Sequence, residues 1–382
     1  MKSKPESVLS ARDPRFDTLR GLLLVCMTIN HLPTELRRIT DQSVGVFSAA
    51  EGFVFLSGLM AGLVYTRRFR TGGPGGLWRA ALGRAKTIYA WHVASFIGAL
   101  ACVLLTEHAL GYCSPNAPRL FFEHPIASLG LGAALLYQPG LLDLLPMYCV
   151  FVLFLPAMIG GLESGRRWLV LSASALLWLA GQWAPAAGLH TYPLNTGSFN
   201  LLAWQFLFVA GLAVGHARAS GLPQLARPSR WAVTCASCVA VYGFGVRQAH
   251  WPSLWPDPVF GVLLNKPALG LLRMADFGCV AYLVAIAGAR FPRLLAARPL
   301  ELLGRNSLAV VATQSVAIMA LLQLPALFAT PASRTLVAIG MVGALFAAAA
   351  ARQGLARRLP QESAVPAIPL SPAAARRLSP AG

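Results

Sequence analysis

The sequence predicts an all-α fold, a polytopic transmembrane helix bundle of about ten spans with both termini cytoplasmic. Three observations lead there. Of 382 residues, 56% are hydrophobic and only 12% charged, with a mean hydropathy of +0.59, far more apolar than a soluble domain of this size requires. Apolar runs recur along the whole chain, at 18–32, 47–65, 88–105, 144–162, 168–184, 200–217, 231–249, 269–289, 306–325 and 335–351. The shorter ones still fit a bilayer through tilt and snorkelling. The basic residues alternate between loops, with 24 Lys and Arg on one side of the ten spans and 6 on the other, which by the positive-inside rule puts the rich side, with both ends of the chain, in the cytoplasm.

An eleventh run, 126–137, is about a dozen residues long. If it crossed, every later loop would change sides and the charge bias would nearly vanish, so it is expected to be a re-entrant or interfacial helix. The expected organisation is a cytoplasmic segment over 1–17, a bundle over 18–353 and a disordered cytoplasmic tail over 354–382, rich in Pro, Ala and Arg. The basic N-terminus followed by an apolar run resembles a signal peptide. Arg20 and His31 flank that run and no A-x-A site follows, so a retained first helix is expected. The net charge of +18 is scattered between apolar runs, which points to the lipid bilayer as partner and not to nucleic acid.

The first hairpin, 12–65, carries the densest chemistry. At 100° per residue Asp17, Arg20, Met27 and His31 share one face of the first helix, and Asp17 and His31 stand roughly 21 Å apart. Glu51 opens the returning helix at the level of His31, so a histidine and a carboxylate are expected to meet there. Such a histidine, oriented by Glu51 or Asp143, is a general base for a hydroxyl proton; the plainer alternative is a helix-end histidine bonded to water or a carbonyl. Gly58 and Gly62 form a GxxxG, a sign of close helix packing. The GGPGG at 72–76 is a connector, with no strand before it to make a phosphate cradle.

Next along the chain, RAKTIYAWH brings Arg84, Lys86, Tyr89 and His92 into the third span. Cations there suit a ligand carrying several phosphates, whereas Arg67 to Arg70 are explained by the positive-inside bias alone. Trp204 and Gln205 pair an aromatic with an amide, either a sugar-stacking site or an interfacial belt. Arg273 and Asp276, three residues apart in one span, read first as a pair neutralising each other and second as an anion site. The seven cysteines have no framework spacing, and Cys235 and Cys238 form a CxxC inside a span with no second pair. No metal is expected. The chain lacks the inverted repeats and matched broken helices of many transporters.

RDPRFDTLRG followed by NHLP, then SAAEGFVFLSGLMAGLVY, RAKTIYAWH, LLDLLPMY, FNLLAWQFLFVAG, NKPALGLLRMADF and GRNSLAV, in this order over about 12–315, resemble the successive motifs of the OpgC family. These are membrane succinyltransferases acting on osmoregulated periplasmic glucans, within the acyltransferase-3 class. The resemblance implies a ten-helix enzyme of the bacterial inner (cytoplasmic) membrane that takes cytoplasmic acyl-CoA, succinyl-CoA in the family, and modifies a hydroxyl of a periplasmic glucan or other polysaccharide acceptor. His31 matches the histidine taken as catalytic in that class, and Asp17, Arg20, Arg84 and Tyr89 match positions associated with its pore. The chain departs from the pattern at Asn265 and Asn306. The expected mechanism has acyl-CoA docking on Arg84, Lys86 and Arg305, its arm threading the stripe of Asp17, Arg20 and His31, with Gln205 or Arg273 supporting the oxyanion or the succinyl carboxylate. Alternatives are acetylation of another surface polysaccharide, or a membrane transporter.

Overall fold

The computed structural model describes residues 13–111, 118–183, 194–222 and 228–358. Cys113, the segment 1–12 and the tail beyond Arg358 lie outside the described residues. Within them every regular element is helical: α1 (Pro14–Asn30), α2 (Arg37–Thr40), α3 (Ala49–Leu110), α4 (Arg119–Glu123), α5 (Pro125–Ala133), α6 (Leu144–Glu163), α7 (Arg167–Trp183), α8 (Leu201–Ala219), α9 (Arg230–Gln248), α10 (Asp257–Leu263), α11 (Leu271–Arg290), α12 (Arg298–Arg305), α13 (Ser307–Leu321) and α14 (Pro331–Arg358). The all-α expectation stands. By length and apolarity five helices qualify as membrane spans, namely α3, α6, α8, α11 and α14, and a sixth if α12 and α13, bent by 83°, are one broken span. The difference from ten has local reasons. α3 carries two expected runs in one 62-residue helix, α1 and α7 stop at 17 residues, and α9, at 19 residues, falls short in apolarity.

A straight helix of that length would run about 93 Å, three bilayer cores. It does not, because Gly73 breaks it with φ 63° and ψ −170°, a backbone state open only to glycine, directly before Pro74. The break falls in the GGPGG connector. The first half of α3 lies on α8 and touches α6 through Phe53 and Ser57 at Tyr148, while on the second half Cys149 donates from α6 to the Ala85 carbonyl and Gly98 meets Val316 of α13.

The contact between α3 and α8 depends on four glycines. A Cβ at Gly58 would stand 2.0 Å from the Phe208 carbonyl oxygen and one at Gly62 2.2 Å from that of Leu212. Reciprocally, one at Gly211 would stand 2.1 Å from Phe55 O and one at Gly215 2.1 Å from Leu59 O. Backbone meets backbone, which in a bilayer supplies the packing that hydrophobicity cannot. Gly58→Leu is therefore expected to cost more than the usual 1–3 kcal/mol of overpacking, roughly, since no side chain can swing aside. A melt of the detergent-purified protein checks this against Gly278→Ala, a helical glycine with nothing within 4 Å of its missing Cβ. A melting point for Gly58→Leu equal to that control would refute the packing.

The same device joins α1 to α12: Gly21 sits on Leu300 O and Gly304 on Asp17 O. It brings the bend at Asn306 and Ser307 against α1, where Arg20 donates to the Ser307 hydroxyl at 2.6 Å. In the core Phe53 and Phe151 meet Tyr148 edge-on, and Phe208 lies tilted against Phe151. Cys235 and Cys238 are free and exposed on α9.

Candidate active site

Two cavities open from opposite ends of α1. The smaller, of ≈ 410 Å³, takes Met27 and His31 from the end of α1, Asp143 and Leu144 from the start of α6, Lys266 from the loop before α11, and Gln314 and Ser315 from α13. α1 terminates at His31, whose backbone N–H still bonds Thr28 O while the side chain is exposed to the cavity. Among the described residues no carboxylate is bonded to the imidazole. Asp143 is buried; one oxygen accepts the Ser198 N–H at 2.9 Å. Burial pushes its carboxyl above the ordinary carboxylate range, against the Ser198 hydrogen bonds and the charge of Lys266. The turn that delivers Ser198 needs Gly197, at φ 93°, whose missing Cβ would lie 2.5 Å from that of Asp143.

The larger cavity, of ≈ 1540 Å³, is lined by Arg20, Arg67, Arg68, Arg84, Arg218, Arg305 and Arg352. Its lining includes one acid, Asp13, held by Arg15 at 2.7 Å and Arg218 at 2.9 Å. Burial would raise that carboxyl, yet the Arg15 hydrogen bonds and both guanidinium charges bring it below its usual range. The cavity thus presents a large excess of cation, with aromatic faces at Phe16, Tyr65 and Trp91, and the first turn of α13 at Asn306 and Ser307 adds the positive end of a helix dipole. Planar guanidinium groups in this number suit phosphates.

The cavities share one wall residue, Val311, and α6 presents Leu144 to one and Leu145 to the other. On the α1 face Arg20 lines the arginine cavity and Met27 and His31 the histidine cavity; between them Leu24 is fully buried. The expected open polar stripe is thereby corrected to two polar ends joined by an apolar waist about two helical turns long.

Several expected roles change for identifiable reasons. Glu51 does not line the histidine cavity. One carboxylate oxygen caps α3, accepting from Ser48 N at 3.0 Å and Ser48 Oγ at 2.7 Å, and the other meets the Arg273 guanidinium in a buried ion pair. Arg273 is thus matched with Glu51 and not with Asp276, which accepts the Val46 N–H at 2.7 Å. Trp204 is fully buried, its indole N–H on the Lys266 and Pro267 carbonyls, so it is neither belt nor sugar platform. Gln205 is bonded to Ser174 on α7. Asp17 is buried beneath Gly304 with Arg305 at 3.6 Å, steadying that arginine and not lining a cavity.

On the second half of α3, Arg84, Thr87, Ile88 and Trp91 face the arginine cavity. Lys86 and Tyr89 lie off that face, Tyr89 bonding Ala133 O at 2.8 Å, and His92 is buried on the Gly132 carbonyl at 3.1 Å. These three lie off the arginine cavity; Arg20, Arg84 and Arg305 line it. Arg67, Arg68, Arg218 and Arg352 join them, all hidden in the sequence by a charge bias that explains them equally well. Lys266, Gln314 and Gln323 join His31 and Asp143. Among the described residues no group of three or more His, Cys, Asp or Glu is arranged to hold a metal ion.

Searches of curated proteins and of solved structures returned no match. A family model described as OpgC protein matches residues 12–357, nearly the whole chain. That family implies a transferase, and together with the apolar helices it indicates a multi-pass membrane protein. On this match the chain belongs to the OpgC family.

Proposed function

We propose that the protein is an O-acyltransferase of the bacterial inner membrane that moves succinyl from cytoplasmic succinyl-CoA to hydroxyls of periplasmic glucans, through ten spans with both termini cytoplasmic. The observation that carries this is the back-to-back pair of cavities: a many-arginine site at one end of α1 and a histidine with a carboxylate at the other, meeting at Val311. The positive-inside bias orients the arginine cavity to the cytoplasm. There Arg67, Arg68, Arg84, Arg218, Arg305 and Arg352 hold the phosphates of CoA, and its thioester arm passes the waist at Leu24 and Val311. In the histidine cavity His31 takes the proton of a glucan hydroxyl as the oxygen bonds to the thioester carbonyl carbon. The carbon–sulfur bond then breaks and the departing CoA thiolate takes the proton from His31, leaving an ester and free CoA. Asp143 shares the cavity with the base without a hydrogen bond to it, and the amide of Gln314 fills the oxyanion role in place of Gln205.

The test is the melting point of the full chain in detergent with and without CoA, together with mass spectrometry of glucans from cells lacking the gene. Saturating CoA at about a hundred times its Kd is expected to stabilise by about 2.7 kcal/mol. Arg67→Ala with Arg68→Ala is expected to weaken that binding at least tenfold, roughly the loss of one charge-assisted contact. No response to CoA would leave a transporter as the better reading. A CoA response with glucans unchanged in the deletion strain would move the activity to another polysaccharide.

A further inference from the structure

We infer that Lys266 binds the free carboxylate of a dicarboxylic acyl group in the histidine cavity, so that this cavity selects succinyl-type donors over uncharged ones of equal length. The inference rests on the acyltransferase reading and adds to it the group that recognises the acyl end.

Of the two groups the sequence offered for this task, Arg273 is consumed by Glu51 and Gln205 by Ser174. Among the described residues lining the cavity, Lys266 is the one Lys or Arg side chain. It has no ion pair there. Asp143 feels its charge, yet the Ser198 N–H holds that carboxylate on its own side of the pocket. Lys266 also stands on a loop of the side poor in Lys and Arg, so membrane orientation does not account for it.

The loop beneath it is built more firmly than an ordinary surface lysine needs. The Trp204 indole donates to the carbonyls of Lys266 and Pro267 at 3.3 and 3.0 Å, and Pro267 O also takes the Asn200 N–H at 3.1 Å. Trp178 donates to Leu269 O at 2.9 Å and Gln182 to Ala268 O at 2.6 Å. Asn265, where the chain departs from its family pattern, closes the turn by accepting the Ala268 N–H at 2.8 Å. Two tryptophans and three amides thus fix the backbone that carries one ammonium group, the preorganisation that a binding cation requires. An acyl carboxylate, with a pKa near 4.3 like that of a glutamate side chain, enters ionised. In a cavity walled by Met27, Leu144 and Val311 it needs a counter-charge, whereas a neutral sugar does not.

The experiment compares transfer from succinyl-CoA and butyryl-CoA by wild-type, Lys266→Met and Lys266→Arg protein, and the protection of each against melting by free succinate or butyrate. Lys266→Met is expected to lower the succinyl-to-butyryl ratio roughly ten- to hundredfold, chiefly through KM, with partial rescue by Lys266→Arg. Succinate protection is lost in parallel. Equal losses with both donors would assign the lysine to the chemistry or the fold and overturn the inference, as would an unchanged ratio. If the wild type transfers neither group, the acyltransferase reading fails, and the succinate melt still decides: protection indifferent to Lys266→Met overturns the carboxylate site.

Discussion

His31→Gln is expected to lower glucan acylation by about 10²–10⁴-fold while leaving stabilisation by CoA at its wild-type value. Glutamine keeps the polar volume and one acceptor of the imidazole but cannot take a proton at neutral pH, so the hydroxyl must attack unassisted. The fold should tolerate the change. His31 lies past the last turn of α1, its side chain is exposed to the cavity, and among the described residues no carboxylate depends on it. The apolar waist makes the test clean, because Leu24 and Val311 separate the histidine from the arginines proposed to hold the nucleotide. The check is quantitative mass spectrometry of glucans alongside a CoA titration of the purified variant. If CoA stabilisation fell with turnover, the two cavities would not act as separate sites. If acylation stayed within a few-fold of wild type, His31 would not be the base.

What was legible in advance follows from how local each signal is. Helical periodicity along α1 placed Arg20 and His31 on one face at opposite ends, and Gly58, Gly62 and the GGPGG announced a tight crossing and a break, since such features depend on neighbours within one or two turns. The same arithmetic would have trimmed the docking surface. From Arg84, Lys86 lies about 200° and Tyr89 about 140° round the helix, so neither shares its face. Other assignments were out of reach because they are settled by distant chain. The partner of Glu51 comes from Arg273 and the burial of Trp204 from the loop at Lys266. Leu24 becomes a barrier only because distant chain buries it completely, with Val311 of α13 lining both cavities. Arg67, Arg68, Arg218 and Arg352 were visible as residues but not as members of the site, because the positive-inside rule accounts for each of them singly.

Glu51→Ala is expected to destabilise the bundle by about 3–5 kcal/mol, the usual consequence of leaving one member of a buried ion pair without its partner. Both side chains are nearly inaccessible, at 0% for Glu51 and 3% for Arg273, so water cannot replace the lost contact. Glu51 also holds Ser48 at the start of α3, a cap worth about 0.5–2 kcal/mol by itself. The informative comparison is with the double variant Glu51→Leu with Arg273→Met. Removing both charges lifts the desolvation cost, so it should recover most of the loss, short by about the value of the cap. Thermal or denaturant unfolding of the two single variants and the double variant measures this directly. Acyl transfer gives the second readout. A carboxylate that orients His31 would leave the double variant folded but inactive, whereas the geometry, with Glu51 turned to Arg273 and Asp143 the one carboxylate lining the cavity of His31, requires activity to return with the fold. An inactive but fully stable double variant would restore Glu51 to the catalytic site.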